Sequence, residues 1–210
     1  MQQPFFCSEL SRRAGEKTFG TASTGGVWLL IEYAGAWGTK AVEQSALSVE
    51  VKSFLRQSVR SIPHSRVLLI KRGRVGGETF SFFVVRCRER EPFIVRYELD
   101  SYARLTEIDI GAEDARRTGG GGARAGALTE LARGAPSAGR PGSGGRVTRE
   151  PLFLVCTHGR RDKCCAKFGV PVYKSLRESS REQVWQSSHV GGDRFAANLV
   201  CFPHGLFYAH

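Results

Sequence analysis

The sequence predicts an α/β fold made of two domains of the same plan, and three observations carry that prediction. Short segments rich in aliphatic and aromatic residues recur in both halves of the 210-residue chain. In each half they come in the order strand, helix, strand, hairpin. Between the halves lies RRTGGGGARAGALTELARGAPSAGRPGSGGRVTR, Arg116 to Arg149, whose Gly, Ala, Arg, Ser and Pro cannot bury enough apolar surface to offset the entropy of ordering. The expected organisation is an N-terminal domain at 1–115, a flexible linker at 116–149 and a C-terminal domain at 150–210.

In the first half, VWLLIEY, RVLLIKR, TFSFFVVRC and FIVRYEL have the length and residue types of strands. A helix is expected between the first two, because Leu47, Val51, Phe54 and Leu55 recur at i, i+4, i+7 and i+8 and Pro63 stops the run. This is the core order of a thioredoxin-like sheet. The glycines of GRVGGE, from Gly73, suggest a hairpin turn. They do not suggest a phosphate loop, since no helix follows them. His64, beside Pro63, reads as a loop residue.

In the second half the series is LFLVCT, a cysteine-bearing turn, a helix near Val172 to Ser180, QVWQSSHV, a short helix from Asp193, then LVCFP and LFYAH flanking His204-Gly205. Thioredoxin-like order calls for a closing helix where the chain stops at His210. The expectation is therefore a shortened second domain with Leu206 and Phe207 poorly protected, of lowered stability or paired with another chain.

Soft metal donors concentrate in this half: Cys156, Cys164, Cys165, Cys201, His158, His189 and His204, with Asp162 and Asp193 among them. Cys156 leaves a strand and Cys165 follows after eight residues, so both thiolates can meet at one metal if GRRDK loops back, and a later imidazole can complete the set. C-x8-C is neither a zinc-finger clamp nor a ferredoxin run, and cysteine is also a common small buried residue, so spacing alone leaves both readings open. Asp162 suits a cap for the following helix. Arg160 and Arg161 either steady an anionic centre or are simply solvated. Cys87 and Cys201 lie in apolar strands and Cys7 is distant in sequence, so none of them is expected to ligate; His204 is expected at a hairpin tip and is the first reserve ligand.

At these positions the chain resembles the sucrase/ferredoxin-like family. The resemblance rests on a strand ending in Cys, a THGxRDxxC turn and HVGG-x-(K/R)-F-A-x-N, met by Cys156 to Cys165 and His189 to Asn198. CSELS at Cys7, GTAS at Gly20, WLLIEYAGAWGTKA from Trp28 and RVLLIKR extend it through the first half. The resemblance implies a thioredoxin-like ferredoxin domain with a 2Fe-2S cluster on two cysteines and two histidines, acting in electron transfer. Carried over, the site residues are Cys156, Cys165, His189 and, where the family pattern has a second histidine, Asp193. Asp193 then ligates, or His158, Cys164 or His204 substitutes, or no cluster is held. The alternatives are structural zinc, or thiol exchange through Cys164 and Cys165 or Cys156 and Cys165, which the lack of C-x-x-C at the helix start disfavours. No pair of carboxylates is placed for sugar hydrolysis, whatever the family title suggests.

The formal charge of +11, from 31 Lys and Arg against 20 Asp and Glu, would attract nucleic acid, a membrane surface or an acidic redox partner and does not choose among them; a solvated basic surface is the simpler reading. The arginines are scattered, and no nucleic-acid-binding motif is present. No apolar run approaches the roughly twenty residues of a membrane span, and MQQPFFCSELSRR has no secretory pattern. A cytoplasmic protein with reduced thiols and no membrane partner is therefore expected.

Overall fold

The computed structural model describes residues 5–23, 25–73, 78–111 and 144–209. β1, Val27–Glu32, is buried along its whole length, so both its edges and both its faces need cover. β2, Ser65–Lys71, lies parallel on one edge, and β3, Phe80–Arg86, lies antiparallel on the other. A parallel neighbour requires a crossover, which α2, Val49–Ser61, supplies after the short N-terminal helix α1, Cys7–Arg13. The Ser48 side chain accepts from the Val51 amide at 3.3 Å to start α2, and Ile62 ends it before Pro63. Val51 and Leu55 are its buried face; Leu47, expected within the helix, is buried just ahead of it.

β4, Phe93–Leu99, forms a hairpin with β3, and β5, Arg146–Thr148, adds to the outer edge of β4. The hairpin expected at Gly73–Glu78 is corrected here. Those residues join β2 to β3, which sit on opposite edges of β1 because β2 already occupies the parallel edge. Positions 74–77, 112–115 and, of the expected linker, 116–143 lie outside the described residues; the linker's last residues contain β5.

The second half repeats the plan. β6, Leu152–Cys156, is parallel to β7, Val184–Ser187, through the crossover helix α3, Lys163–Ser179; β8, Asn198–Phe202, is antiparallel to β6, and β9, Leu206–Ala209, to β8. The helix begins nine residues before the expected Val172 and runs through Pro171. The full order is β5-β4-β3-β1-β2-β7-β6-β8-β9, so the sub-order β4-β3-β1-β2 recurs as β9-β8-β6-β7 within one mixed sheet.

The halves meet where β2 and β7 pair antiparallel, Ile70 with Ser187 and Lys71 with Gln186. Ser188 extends the seam: its amide donates to the Leu69 carbonyl at 2.8 Å, and its hydroxyl accepts from the Leu69 amide at 3.0 Å.

One face of the first half-sheet, with Leu29, Ile31, Leu69, Phe82 and Val84, is closed by α2 and the 3-10 turn Tyr102–Glu107. The opposite face, with Trp28, Leu30 and Phe83, shares a core with Leu154, Trp185, Val200 and Phe202 of the second half. Trp28 on β1 lies 5.3 Å from Phe202 on β8, ring centroid to centroid. Four strand spacings in a flat sheet would separate these strands by about 19 Å. The sheet therefore curls over a common aromatic core.

Phe207, expected to be poorly protected, is tucked against Trp28 at 6.0 Å, whereas Leu206 on the same edge strand is exposed. Among the described residues, no helix is long and apolar enough to cross a membrane.

Ser188→Ala removes the acceptor of a buried Leu69 amide and is expected to cost about 2 kcal/mol in urea-induced unfolding.

Candidate metal centre

Three elements bring three soft donors to one end of the second half-sheet. Cys156 is the last residue of β6, Cys165 lies in the first turn of α3, and His189 follows β7 immediately after the Ser188 seam. The connecting loop folds back as a tight turn, with the amides of Arg161 and Asp162 both donating to the His158 carbonyl at 3.1 Å. Asp162 then caps α3, its carboxylate accepting from the Cys164 amide at 2.7 Å, as the sequence led one to expect. Gly169 lets α3 lie directly on the end of β6, because a Cβ there would overlap the Cys156 carbonyl oxygen.

The Cys165 sulfur is 3.6 Å and the Cys156 sulfur 4.0 Å from Nδ1 of His189, and all three donor atoms lie within 4.8 Å of one another. Both cysteines are fully buried and the imidazole partly so. This is a donor set for zinc or for an iron centre. Asp193, at the start of the 3-10 turn Asp193–Phe195, stands at the other ring nitrogen, with its carboxylate 3.7 Å from Nε2. It therefore flanks the imidazole instead of joining the three donors.

A hydrogen bond between the two sulfurs drives their proton affinities apart. Cys156 is held well below the ordinary thiol value, chiefly because the Cys165 S–H donates to its sulfur; His189 and the amides of His158 and Val190 add to the effect against the cost of burial. Cys165, the donor of that pair, is pushed up by the same hydrogen bond and by burial. These contacts favour the thiolate form of Cys156, beside the positive end of α3.

The reserve ligands fall elsewhere. His158 is a brace: its Nδ1 accepts from the His189 amide at 3.1 Å, so its Nε2–H donates to the Gly38 carbonyl at 2.7 Å. Burial lowers its pKa, consistent with a neutral ring. Trp37 packs edge-on against it at 5.7 Å, so a loop of the first half supports the site of the second. His204 is exposed in the β8–β9 turn, and His64 takes a left-handed loop conformation. Cys201 lies in β8 and Cys87 just after β3. Cys164 points away from Cys165 and meets Cys7, its sulfur 3.4 Å from that of Cys7. The thiol pair Cys164–Cys165 weighed from the sequence is thus not brought together, whereas Cys156 and Cys165 are. No local signal in the sequence marks the approach of Cys7 to Cys164, two residues 157 positions apart.

A cavity of about 590 Å³ opens beside His158 and His189, between the site and α2. Its rim carries Lys40, Lys52, Arg56, Arg60 and Arg161 against one carboxylate, Glu43.

Gly169→Ala is expected to lower stability by about 3 kcal/mol, read by chemical denaturation, because the backbone of Cys156 and Thr157 leaves the new methyl no room. In the metal-free protein, one component of the thiolate absorption in the ultraviolet should titrate below the ordinary value of about 8.5, and this component should be absent in Cys156→Ser. Because the Cys156 value is depressed, its contribution to stability is complete above the unfolded-state value and is lost as pH falls through the folded-state value. Cys165 has the opposite sign, its contribution being lost only as pH rises into the alkaline range.

A family model described as Sucrase/ferredoxin-like matches residues 18–210. No curated protein and no solved structure matches the chain. The family match spans most of the sequence, and the chain belongs to the sucrase/ferredoxin-like family.

Proposed function

We propose that this member of the sucrase/ferredoxin-like family is an electron carrier whose 2Fe-2S cluster is held by Cys156, Cys165 and His189, with Asp193 as the fourth residue of the site. The observation that carries the reading is the meeting of two buried cysteines and one imidazole from three separate elements. The repeated strand order, 4-3-1-2 in each half, supports a pair of thioredoxin-like units. When bound, such a cluster takes up and returns one electron, at a higher potential with mixed Cys and His ligation than with cysteine alone.

The residues of the chain supply its setting. The amides of His158 and Val190 donate to the Cys156 sulfur, a pattern that eases the accumulation of negative charge. Asp193 at Nε2 orients His189 and strengthens its Nδ1 as a donor, and the fourth ligand is then either this carboxylate or a group from outside the chain. Leu154, Trp185 and Val200 exclude water from below. The imidazole edge faces the basic-rimmed cavity, which suits an acidic redox partner drawn by long-range attraction. All six cysteines are free, as a reducing cytoplasm would keep them.

A second reading, a single zinc ion, is favoured by one observation: the three donor atoms are already close enough together for one tetrahedral ion.

Protein purified without oxygen distinguishes the two. The cluster reading expects a coloured protein with iron and acid-labile sulfide in equal amounts, bleached by His189→Ala and unaffected by Cys201→Ser. Asp193→Ala should lose the cluster if the carboxylate ligates, and keep it with a shifted potential if it only braces His189. A colourless protein that stays free of iron after anaerobic reconstitution, yet holds one zinc lost in His189→Ala, would overturn the cluster.

A further inference from the structure

Cys7 and Cys164 form a second thiol pair at the first turn of α3, separate from the group that Cys165 joins. Each sulfur is held by contacts independent of the other. The Phe6 ring packs edge-on against Phe168 at 6.0 Å, with Lys167 Nζ 3.7 Å from its centroid. Glu9 pairs with Lys167 at 2.6 Å, and the Ser8 hydroxyl donates to the Ala196 carbonyl. On the other side, Cys164 is fixed by the Asp162 cap. The sulfurs stand 3.4 Å apart, so closing a disulfide of about 2.05 Å asks for an approach of about 1.4 Å. Cys7 is partly exposed and Cys164 is buried, which sets the order of attack. Cys7 also precedes the residues matched by the family model.

We infer that Cys7 and Cys164 form a reversible disulfide that fastens α1 to α3, made by exchange with a low-molecular-weight disulfide such as glutathione disulfide. The Cys7 thiolate attacks one glutathione sulfur, the glutathione S–S bond breaks, and one glutathione thiolate leaves. The Cys164 thiolate then attacks the Cys7 sulfur of the mixed disulfide and expels the second. Two protein thiols are oxidised by two electrons, one glutathione disulfide is reduced to two glutathione molecules, and the two cysteine protons end on them. The bridge does not draw on Cys156 or Cys165 and stands whether or not they hold a metal. It ties down the segment that carries Asp193, because Ser8 of α1 bonds to Ala196 at the end of the 3-10 turn and Glu16, just past α1, lies 3.7 Å from Arg194 within it.

The test equilibrates the full-length protein, isolated without oxygen, across a series of glutathione to glutathione disulfide ratios, blocks free thiols by alkylation and maps peptides by mass. The expected result is a linked Cys7 and Cys164 peptide pair, a chain lighter by two hydrogens and a raised thermal midpoint, all reversed by dithiothreitol. Cys7→Ser should abolish link and shift together, Cys164→Ser likewise, and Cys87→Ser should leave both in place; Cys7→Ser, in a short surface helix, keeps the test valid if the buried variant fails to fold. The inference is overturned if no link forms at the most oxidising ratio, or if Cys164 is found joined to Cys165. It is equally overturned if a stoichiometric zinc, lost in Cys7→Ser, survives oxidation on Cys7, Cys164 and Asp162.

Discussion

The antiparallel seam of β2 and β7 is the contact on which the rest of the molecule depends. It is short, two residue pairs and the two-way bond of Ser188 with Leu69, yet it turns two half-sheets into one. Once they are joined, the curl of the sheet brings Trp28 and Phe83 of the first half onto Phe202 and Trp185 of the second, and a single aromatic core results. The residue after Ser188 is His189, so the register that locks the seam also sets the reach of the imidazole towards the two sulfurs.

The two halves repeat a strand order but divide the work at its end. β6 ends in Cys156, a donor, whereas β1 ends in Glu32 and leads into the loop of Trp37 and Gly38, which offers no thiol or imidazole. That loop instead reaches across to His158 and fixes its orientation, through the Gly38 carbonyl and the edge of Trp37. His158 in turn grips the amide of His189. One half therefore supplies the three donors and the other braces them, and the brace acts on the backbone of His189.

Much of this was legible in the sequence, for reasons that particular residues make plain. β1 to β4 stand out because strands buried on both faces read as continuous apolar runs, and Pro63 marks the end of α2. The start of α3 was hidden because Gly169 and Pro171 read as breakers, although Gly169 is there to seat the helix on Cys156 and Pro171 sits on its exposed side. The joining of the halves was not legible, since pairing between strands more than a hundred residues apart leaves no local pattern. The same distance concealed Cys7 beside Cys164. Cys156, Cys165 and His189 were found from their spacing and family pattern, whereas only geometry reveals that Asp193 faces the far nitrogen of His189.

Each of the three tryptophans of the chain carries a cation from the seam strand or the residue just after it: Arg66 over Trp28, Lys71 over Trp37 and Arg72 over Trp185, at 4.7, 4.3 and 4.2 Å from the ring centroids. Two of these indoles line the common core and the third touches His158, the brace of the candidate metal centre. The molecule's native fluorescence is thus tuned from one strand. Light emitted by this protein reports the docking of its halves and the setting of His158 without any added label.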